Sequence, residues 1–571
     1  MFDKFQPKTD QEWIEQANRE THKFDSISFP YTFQLESLKL SAINTNASED
    51  SKQLVEYTIS KESAHSLTSL MLAEQCGEIE FERMFKLGLE DIFLTLDQAQ
   101  NDQFIGKVDS SSDLQSVAIT YDYGDSKRIV PFIESFVKEN RLSLTLYNSS
   151  AVNPESGLSS QQIADLTSLI NKHNNNIQLL GIRGDILGNR GATAVQELAA
   201  SLSLLVAQWD SLTKQGVLIT SLVSQTELAL STSGEFYFDI VKFKAARILV
   251  YYILDAYELA NTDPYQIKIR AISGTLNKSL YDPDANLLRN TVESLAAIVG
   301  EANIISLRSH DYRYRQPTEF GSRMAANSQH LLRYEGGLHE TKNPVDGSYF
   351  FEKSIDDMVK QAWQLFLKIE EGGGYYQSGL TDATQHFHPN IRKKEQELLQ
   401  QKKAVVGVTR YVNVQEKITN DQAVDYQNTP SLMGHWENIR RRVDDLSEEQ
   451  KPSVAILSHL STDNLTVRKE ITFVIDTLTT LGLHNITVEN SLEAILRKWL
   501  PDILIFCGDD AWYESHLADT TDRNEIASVL KVAVGQMPLL TELRQKKMLG
   551  AVIHAQADLA PLLNVIKQVI P

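Results

Sequence analysis

The chain has 571 residues, 42% of them hydrophobic and 23% charged, the make-up of a globular protein long enough for more than one domain. A formal net charge of −20 argues against nucleic acid as a partner, and any anionic ligand would need local positive charge to hold it. Two distant cysteines, Cys76 and Cys507, give no disulfide framework and fit a reducing cytosol; no apolar run nears the roughly 20 residues of a membrane span, and Met1-Phe2-Asp3-Lys4-Phe5 lacks the basic-then-apolar pattern of a signal peptide, so a cytoplasmic location without membrane contact is expected.

Residues 10 to 23 read as an amphipathic helix with Asp10 as its N-cap. The rest of residues 1–50 is polar and irregular, an arm that is either wrapped on a partner or loosely ordered. Short β-rich runs then recur at 92–96, 116–121, 142–147, 177–182, 217–220, 267–271 and 303–307, separated by helical patterns such as 160–173, 193–208 and 236–259. Repeated strand-then-helix units imply a parallel sheet, because only a helical crossover brings the next strand back in the same direction. Seven or eight of them in residues 51–385 fit a (β/α)8 TIM-type barrel, and a doubly wound open sheet would give the same local pattern. Residues 386–452 change character, with charged helices at 392–403 and 437–449, and read as a linker. A second α/β unit occupies 453–571, with strands at 454–457, 486–488, 503–506, 532–534 and 551–553 and helices at 467–481, 492–498, 523–530 and 559–570, the count of a flavodoxin-like doubly wound fold.

Four segments between Arg289 and Gly379 identify the family. They are RNTVESLAAIVGEAN from Arg289, QPTEFGSRMAANSQHLL from Gln316, NPVDGSYFFE from Asn343 and AWQLFLKIEEGGGYYQSGL from Ala362. In this order they resemble the C-terminal end of the catalytic barrel of methylmalonyl-CoA mutases. The resemblance runs well from about Gly216 to Tyr411 and fades at both ends. It implies a barrel, a flavodoxin-like cobalamin-binding-type domain after it, an N-terminal arm packed on a partner subunit, and adenosylcobalamin-dependent interconversion of methylmalonyl-CoA and succinyl-CoA. The family has large catalytic and small non-catalytic subunits.

The residues that carry chemistry in catalytic members are replaced here. Those members ligate cobalt through a histidine in an Asp-x-His-x-x-Gly loop after the first strand of the second domain. An imidazole binds the metal, a carboxylate orients it, and a glycine lets the backbone pass close by. Counting back from Leu481-Gly482 puts Leu465, Val467 and Glu470 at those three places in the loop from Ser458. His459 is the one nearby histidine, a surface residue or, with a shifted alignment, a ligand. The family's Ser-x-Leu after the third strand reads Cys507-Gly508-Asp509-Asp510-Ala511-Trp512, and its Gly-Gly after the fourth reads Val534-Gly535-Gln536. In the barrel, the Tyr-His pair after the fifth strand of catalytic members aligns with Leu222 and Val223. The segment Arg183-Gly184-Asp185-Ile186-Leu187-Gly188-Asn189-Arg190-Gly191, placed after the fourth strand, is more like that of small subunits, and the substrate-carboxylate arginine falls near Thr193. Arg183 and Arg190 are the candidates for an anion site, or else partners in loop salt bridges. The coenzyme A channel segment has dwindled to Phe29-Pro30-Tyr31-Thr32-Phe33, without arginines.

Other constellations read as structural. His386-x-His388 sits in a polar stretch with no carboxylate pattern, and Gly372-Gly373-Gly374 has no strand before it and no Gly-Lys-Ser/Thr after it. No catalytic, metal or cofactor residue is expected in this chain. The expectation is a small, non-catalytic subunit of a heterodimeric mutase, with adenosylcobalamin bound by the large catalytic subunit. The alternatives are a divergent acyl-CoA mutase active by itself and a scaffold or chaperone-like partner of another cobalamin enzyme.

Overall fold

In the computed structural model the described residues are 177–570, apart from 316–317, 339–342, 379–386, 419–430, 459–464, 518–520, 522, 536 and 554–557, together with short strand and helix segments before residue 177. The helix read at 10–23 lies outside them. The chain divides into two units: Met1–Leu276, Leu287–His310 and Pro317–Asn390 form one, and Asn277–Asn286, Asp311–Gln316 and Ile391–Pro571 form the other.

The first unit opens with an antiparallel pair, β1 (Thr32–Leu35) and β2 (Leu38–Ser41). Eight parallel strands then close into a barrel: β3 (Ser66–Leu70), β4 (Asp91–Thr95), β5 (Ser116–Tyr121), β6 (Ser143–Asn148), β7 (Ile177–Arg183), β8 (Thr226–Ser231), β9 (Lys268–Ile272) and β10 (Ile304–Leu307), with β10 pairing back onto β3. The helices of this unit are α1 (Ser160–Lys172), α2 (Gly184–Asn189), α3 (Ala194–Thr213), α4 (Ile219–Gln225), α5 (Phe236–Ala256), α6 (Pro283–Val299), α7 (Glu319–His330) and α8 (Tyr349–Glu371), α6 beginning in the second unit. Closure removes free strand edges, and strands buried on both faces become nearly continuous apolar runs, as in β10 and β7.

Local sequence fixes the helix ends. Thr193 and Gln196 form a reciprocal capping box at the start of α3, with Gln196 N donating to Thr193 Oγ1 at 3.2 Å and Thr193 N to Gln196 Oε1 at 2.9 Å. On the same helix Trp209 is fully buried and donates its indole N–H to Thr226 Oγ1 at 2.9 Å, tying α3 to β8. Burying a side chain of that kind stabilises by about 1.5–3 kcal/mol. The glycine triplet closes α8: Gly374 N bonds back to Ile369 O, and φ at Gly373 and Gly374 is +98° and +83°, which a side chain rarely tolerates.

Two barrel strands differ from expectation. Val217-Leu218-Ile219-Thr220 is not a strand; α4 begins at Ile219, and Leu218 is exposed. The strand is β8, further along the chain, whose Thr226 and Glu227 point into buried polar contacts and so break the apolar pattern that marks a strand in sequence. β3, Ser-Leu-Thr-Ser-Leu, has no continuous apolar run in its sequence and also escapes notice. The barrel therefore counts eight strands, with β7 as its fifth and β8 as its sixth.

The second unit contains α9 (His388–Leu399), whose first three residues belong to the first unit, then α10 (Gly434–Asp444) and the open sheet. The sheet is parallel throughout: β11 (Val454–Ser458), β12 (Ile486–Glu489), β13 (Ile503–Cys507), β14 (Leu530–Val534) and β15 (Ala551–Ile553), in the order β12-β11-β13-β14-β15. That 2-1-3-4-5 order is the one found in flavodoxin-like doubly wound sheets. Its helices are α11 (Leu465–Thr480), α12 (Leu492–Lys498), α13 (Pro538–Gln545) and α14 (Ala560–Val569). The expected helix at 523–530 is a single 3-10 turn, Asn524–Ile526, because β14 already starts at Leu530, and α13 has no counterpart in the expectation. Val408, Met433, Trp436, Ile439 and Val443 share one apolar core with Val454 and Ile456, so the stretch read as a linker packs inside this unit. There Glu437 on α10 accepts from Leu280 N at 2.6 Å and pairs with Arg313 at 3.2 Å, and Tyr281 donates to Asp444 at 2.6 Å. No helix among the described residues is long and apolar enough to cross a membrane.

Candidate functional site

Two places in this architecture could hold ligand: the barrel axis and the carboxyl end of the open sheet.

The barrel axis is occupied by the protein's own side chains. Arg270 on β9 is fully buried and reaches strands all round the barrel. Its Nε is 2.6 Å from Glu227 Oε1 on β8, its Nη1 is 2.8 Å from Asp91 Oδ1 on β4, and the same Nη1 donates to Ser306 Oγ on β10 at 3.1 Å. Glu227 also accepts from Tyr147 Oη and Thr145 Oγ1 on β6, and Asp91 from Ser116 Oγ on β5. β9 neighbours β8 and β10 alone, so contacts with β4 and β6 can form only across the interior. Burial opposes the charge on Arg270, but Asp91 and Glu227 more than offset it and hold the guanidinium protonated. Burial likewise pushes Glu227 up, and Arg270 with Lys268 pulls it below the usual carboxylate range. Burial and then Glu227 drive the Tyr147 phenol well up.

A second guanidinium closes the carboxyl end. Arg183, the last residue of β7, forms a bidentate pair with Asp185, Nε–Oδ1 2.6 Å and Nη2–Oδ2 2.7 Å, and its Nη1 donates to Thr120 on β5 at 3.0 Å. Both Arg183 and Arg270 lie beside the rings of Phe93 and Tyr147, at 5.3–5.9 Å from their centroids. The interior is thus a layered packed core of two arginines, three carboxylates and two aromatic rings.

Of the two anion candidates, Arg183 is buried and engaged with Asp185. Arg190 does not join that network; it is half-buried at the C-terminal cap of α2. Leu222 and Val223 do not come after a strand. They are buried in α4, ahead of β8, so the position assigned to the Tyr-His pair is corrected. The fifth barrel strand runs instead into Arg183-Gly184-Asp185, which again holds neither tyrosine nor histidine. Thr193, where the substrate arginine aligned, is the N-cap of α3. Of Phe29–Phe33, residues 29–31 lie outside the described residues.

At the open sheet, His459 lies outside the described residues. Leu465, Val467 and Glu470 are not in a loop; α11 begins at Leu465, and Val467 is buried on it. With no glycine to break it there, the stretch continues as a helix. At the end of β13, Tyr513 is fully buried, accepts from Gly508 N at 3.1 Å and donates to Phe506 O at 2.9 Å. The Trp512 ring lies where a Cβ on Gly508 would be, 2.3 Å away. A Cβ on Gly535, after β14, would meet Leu540 at 3.1 Å and the Tyr513 ring at 3.5 Å. Trp512 thus packs directly on Gly508, and Leu540 and Tyr513 lie over Gly535. Burial, and then Asp510, pushes the Glu470 carboxyl up to about 7, and burial drives the Cys507 thiol up. Among the described residues there is no group of three or more His, Cys, Asp and Glu side chains that could hold a metal, and His386 lies outside them.

A family model described as methylmalonyl-CoA mutase matches residues 146–472, more than half the chain. The chain belongs to the methylmalonyl-CoA mutase family. It is similar to the methylmalonyl-CoA mutase small subunit of Porphyromonas gingivalis, 27% identical over 241 residues, which is 42% of this chain and 39% of that one. It is also similar to the Escherichia coli methylmalonyl-CoA mutase, 26% identical over 280 residues, 48% of this chain and 38% of that one. A probable methylmalonyl-CoA mutase small subunit of Mycobacterium bovis matches at 25% identity over 370 residues, 62% and 59% of the two chains. The matched stretches thus span less than two thirds of these relatives' own length.

The mutase-like motifs lie in the scaffold. The Asn343-Pro344-Val345-Asp346-Gly347 turn is anchored by the buried Lys244 of α5, 2.6 Å from Asn343 Oδ1, 2.9 Å from Glu301 and 3.6 Å from Asp346. Arg247 on the same helix donates to Ile267 O and Pro264 O, each at 2.7 Å, and to Asn303 Oδ1 at 2.5 Å, fixing the entries to β9 and β10. Sequence reading misses the weight of Arg270, Glu227, Asp91 and Tyr147. A lone charged residue inside each of several β-runs is the available signal.

Proposed function

We propose that this chain is the small, non-catalytic subunit of a heterodimeric, adenosylcobalamin-dependent methylmalonyl-CoA mutase. It supports a large subunit that interconverts methylmalonyl-CoA and succinyl-CoA. The observation that carries this reading is the bridge from Arg270 to Asp91 and Glu227 across the barrel axis. A mutase of this family needs that axis for its acyl-CoA ester. Opening it here would leave buried charges unpaired, which costs about 3–5 kcal/mol when one partner is removed.

The open sheet supports the same reading. Trp512 and Tyr513 pack tightly over Gly508 and Gly535 in the two loops where the resemblance places the cofactor, which supports a chain that does not fit a corrinoid, and no catalytic step is routed through one. The small-subunit names of relatives, the cytoplasmic location and an N-terminal arm wrapped on the partner belong to this proposal as well.

The test is co-expression with a large mutase chain that has an intact Asp-x-His-x-x-Gly loop. Expected are a one-to-one complex by light scattering, mutase activity in the complex alone, and no spectral change when the isolated chain is mixed with hydroxocobalamin. Turnover or tight cobalamin binding by the isolated chain overturns the reading.

A further inference from the structure

The second unit carries a feature that its role as a fold partner does not use. A cleft of about 770 Å³ runs between α11 and the segment 398–414, with Trp436 and Leu559 at its base. Leu465, Arg468, Thr472, Asp476 and Thr480 line it, a spacing that places one whole face of α11 along the groove. At ~1.5 Å per residue that face is roughly 22 Å long.

The cleft presents donors and apolar surface together. Arg410, Arg468 and Lys469 are exposed, and none has an ion pair among the described residues, although the chain carries a net charge of −20. Trp436, 5% exposed, contributes apolar surface to the base of the cleft. Around the cleft stand Tyr411 at 82% exposed and Leu465 at 64%, with Tyr411 at φ +55°, a conformation that a bulky residue rarely adopts.

Length and openness separate the possible occupants. A small-molecule site encloses most of its ligand, whereas this groove is open and tracks the full length of α11. Exposed Tyr and Leu beside unpaired arginines match the make-up of a protein interface. Exposed cations with no ion pair among the described residues call for carboxylates in the occupant.

We propose that this cleft docks an acidic, apolar-bearing polypeptide segment of the large mutase subunit, about seven residues long if extended. The proposal rests on the small-subunit reading and adds the surface by which the two chains engage. Carboxylates of the segment meet Arg410, Arg468 and Lys469, and an apolar side chain lies on Tyr411 and Leu465.

The test compares the full chain with the triple variant Arg410→Glu/Arg468→Glu/Lys469→Glu, each titrated against the purified large subunit by calorimetry. A photo-crosslinking residue at Thr472 in the otherwise unchanged chain reports what lies in the groove. Expected are a complex that the triple variant weakens by roughly 30-fold or more, an affinity that falls with salt, and a crosslink to an acidic segment of the large subunit. Lys546→Glu, at the exposed C-cap of α13, serves as control and leaves the affinity within about twofold. A complex that the triple variant leaves intact overturns the docking site and spares the subunit reading. A crosslink from Thr472 to a second copy of this chain overturns the named occupant. Failure of the unchanged chain to bind the large subunit overturns both readings.

Discussion

Arg270 and Asp91 meet as a bidentate pair, Nη1–Oδ1 2.8 Å and Nη2–Oδ2 3.2 Å, although their strands are separated by β10 and β3 in the barrel. Both residues are fully buried, so water cannot compensate for the loss of either. Arg270→Met should destabilise the barrel unit by about 3–5 kcal/mol, because Asp91 and Glu227 would then face each other as buried, unpaired carboxylates. Urea denaturation followed by circular dichroism measures it. A loss below about 1 kcal/mol would mean that the network contributes little to the fold.

Lys244 poses a similar question at the Asn343–Gly347 turn. Lys244→Met keeps the length and apolar stem but removes the cation from Glu301, Asp346 and Asn343. The expected result is a loss of about 2–4 kcal/mol and faster proteolysis at residues 343–348. Unchanged cleavage there would show that the turn holds without its anchor.

Glu470 gives the second unit a pH dependence. Burial and the nearby Asp510 make its carboxyl titrate at about 7 in the folded chain against 4.5 when unperturbed. The raised folded value means that the fold prefers the protonated acid. Below 4.5 both states are protonated and nothing is lost; as pH climbs from 4.5 to about 7 this group's contribution turns against the fold and stays so at higher pH. Glu470→Gln should therefore raise the melting temperature at pH 8 and leave it nearly unchanged at pH 4. An equal shift at both pH values would rule the titration out as the cause.

Gly508 and Tyr513 test how the sheet's carboxyl end is filled. Gly508→Ala should displace Trp512 and cost about 1–3 kcal/mol by overpacking, with a visible change in tryptophan emission. Tyr513→Phe removes the hydroxyl that bridges Phe506 O and Gly508 N and should cost about 1–3 kcal/mol, since both backbone groups are buried. If either variant instead gained cobalamin binding without losing stability, the filled end would be a gate for cofactor and not packing.

The sequence is most readable where burial is simplest. Three strands of the second unit, β11, β13 and β15, are near-continuous apolar runs, and all five lie within two residues of their expected bounds. β8 escapes because Thr226 and Glu227 serve the interior and the helix contact instead of forming an apolar face. That shift misplaces the Tyr-His comparison onto Leu222 and Val223, although the segment actually in place also lacks the pair. Arg183 is visible as a candidate because a loop motif surrounds it. Arg270 is not, because its partners lie between 36 and 179 residues away and become neighbours only when the barrel closes.

Glu437 leads to a practical consequence. Its carboxylate holds Leu280 N and Arg313, residues that precede it by more than a hundred positions and lie just past β9 and β10. The chain passes from one unit to the other at 276, 286, 310, 316 and 390. No single cut can separate the two units cleanly, because two short pieces of the second lie within the first 390 residues. A fragment ending at Asn390 would keep Leu280 and Arg313 but lose the acid that fixes both, so those two loops would come away without their clasp.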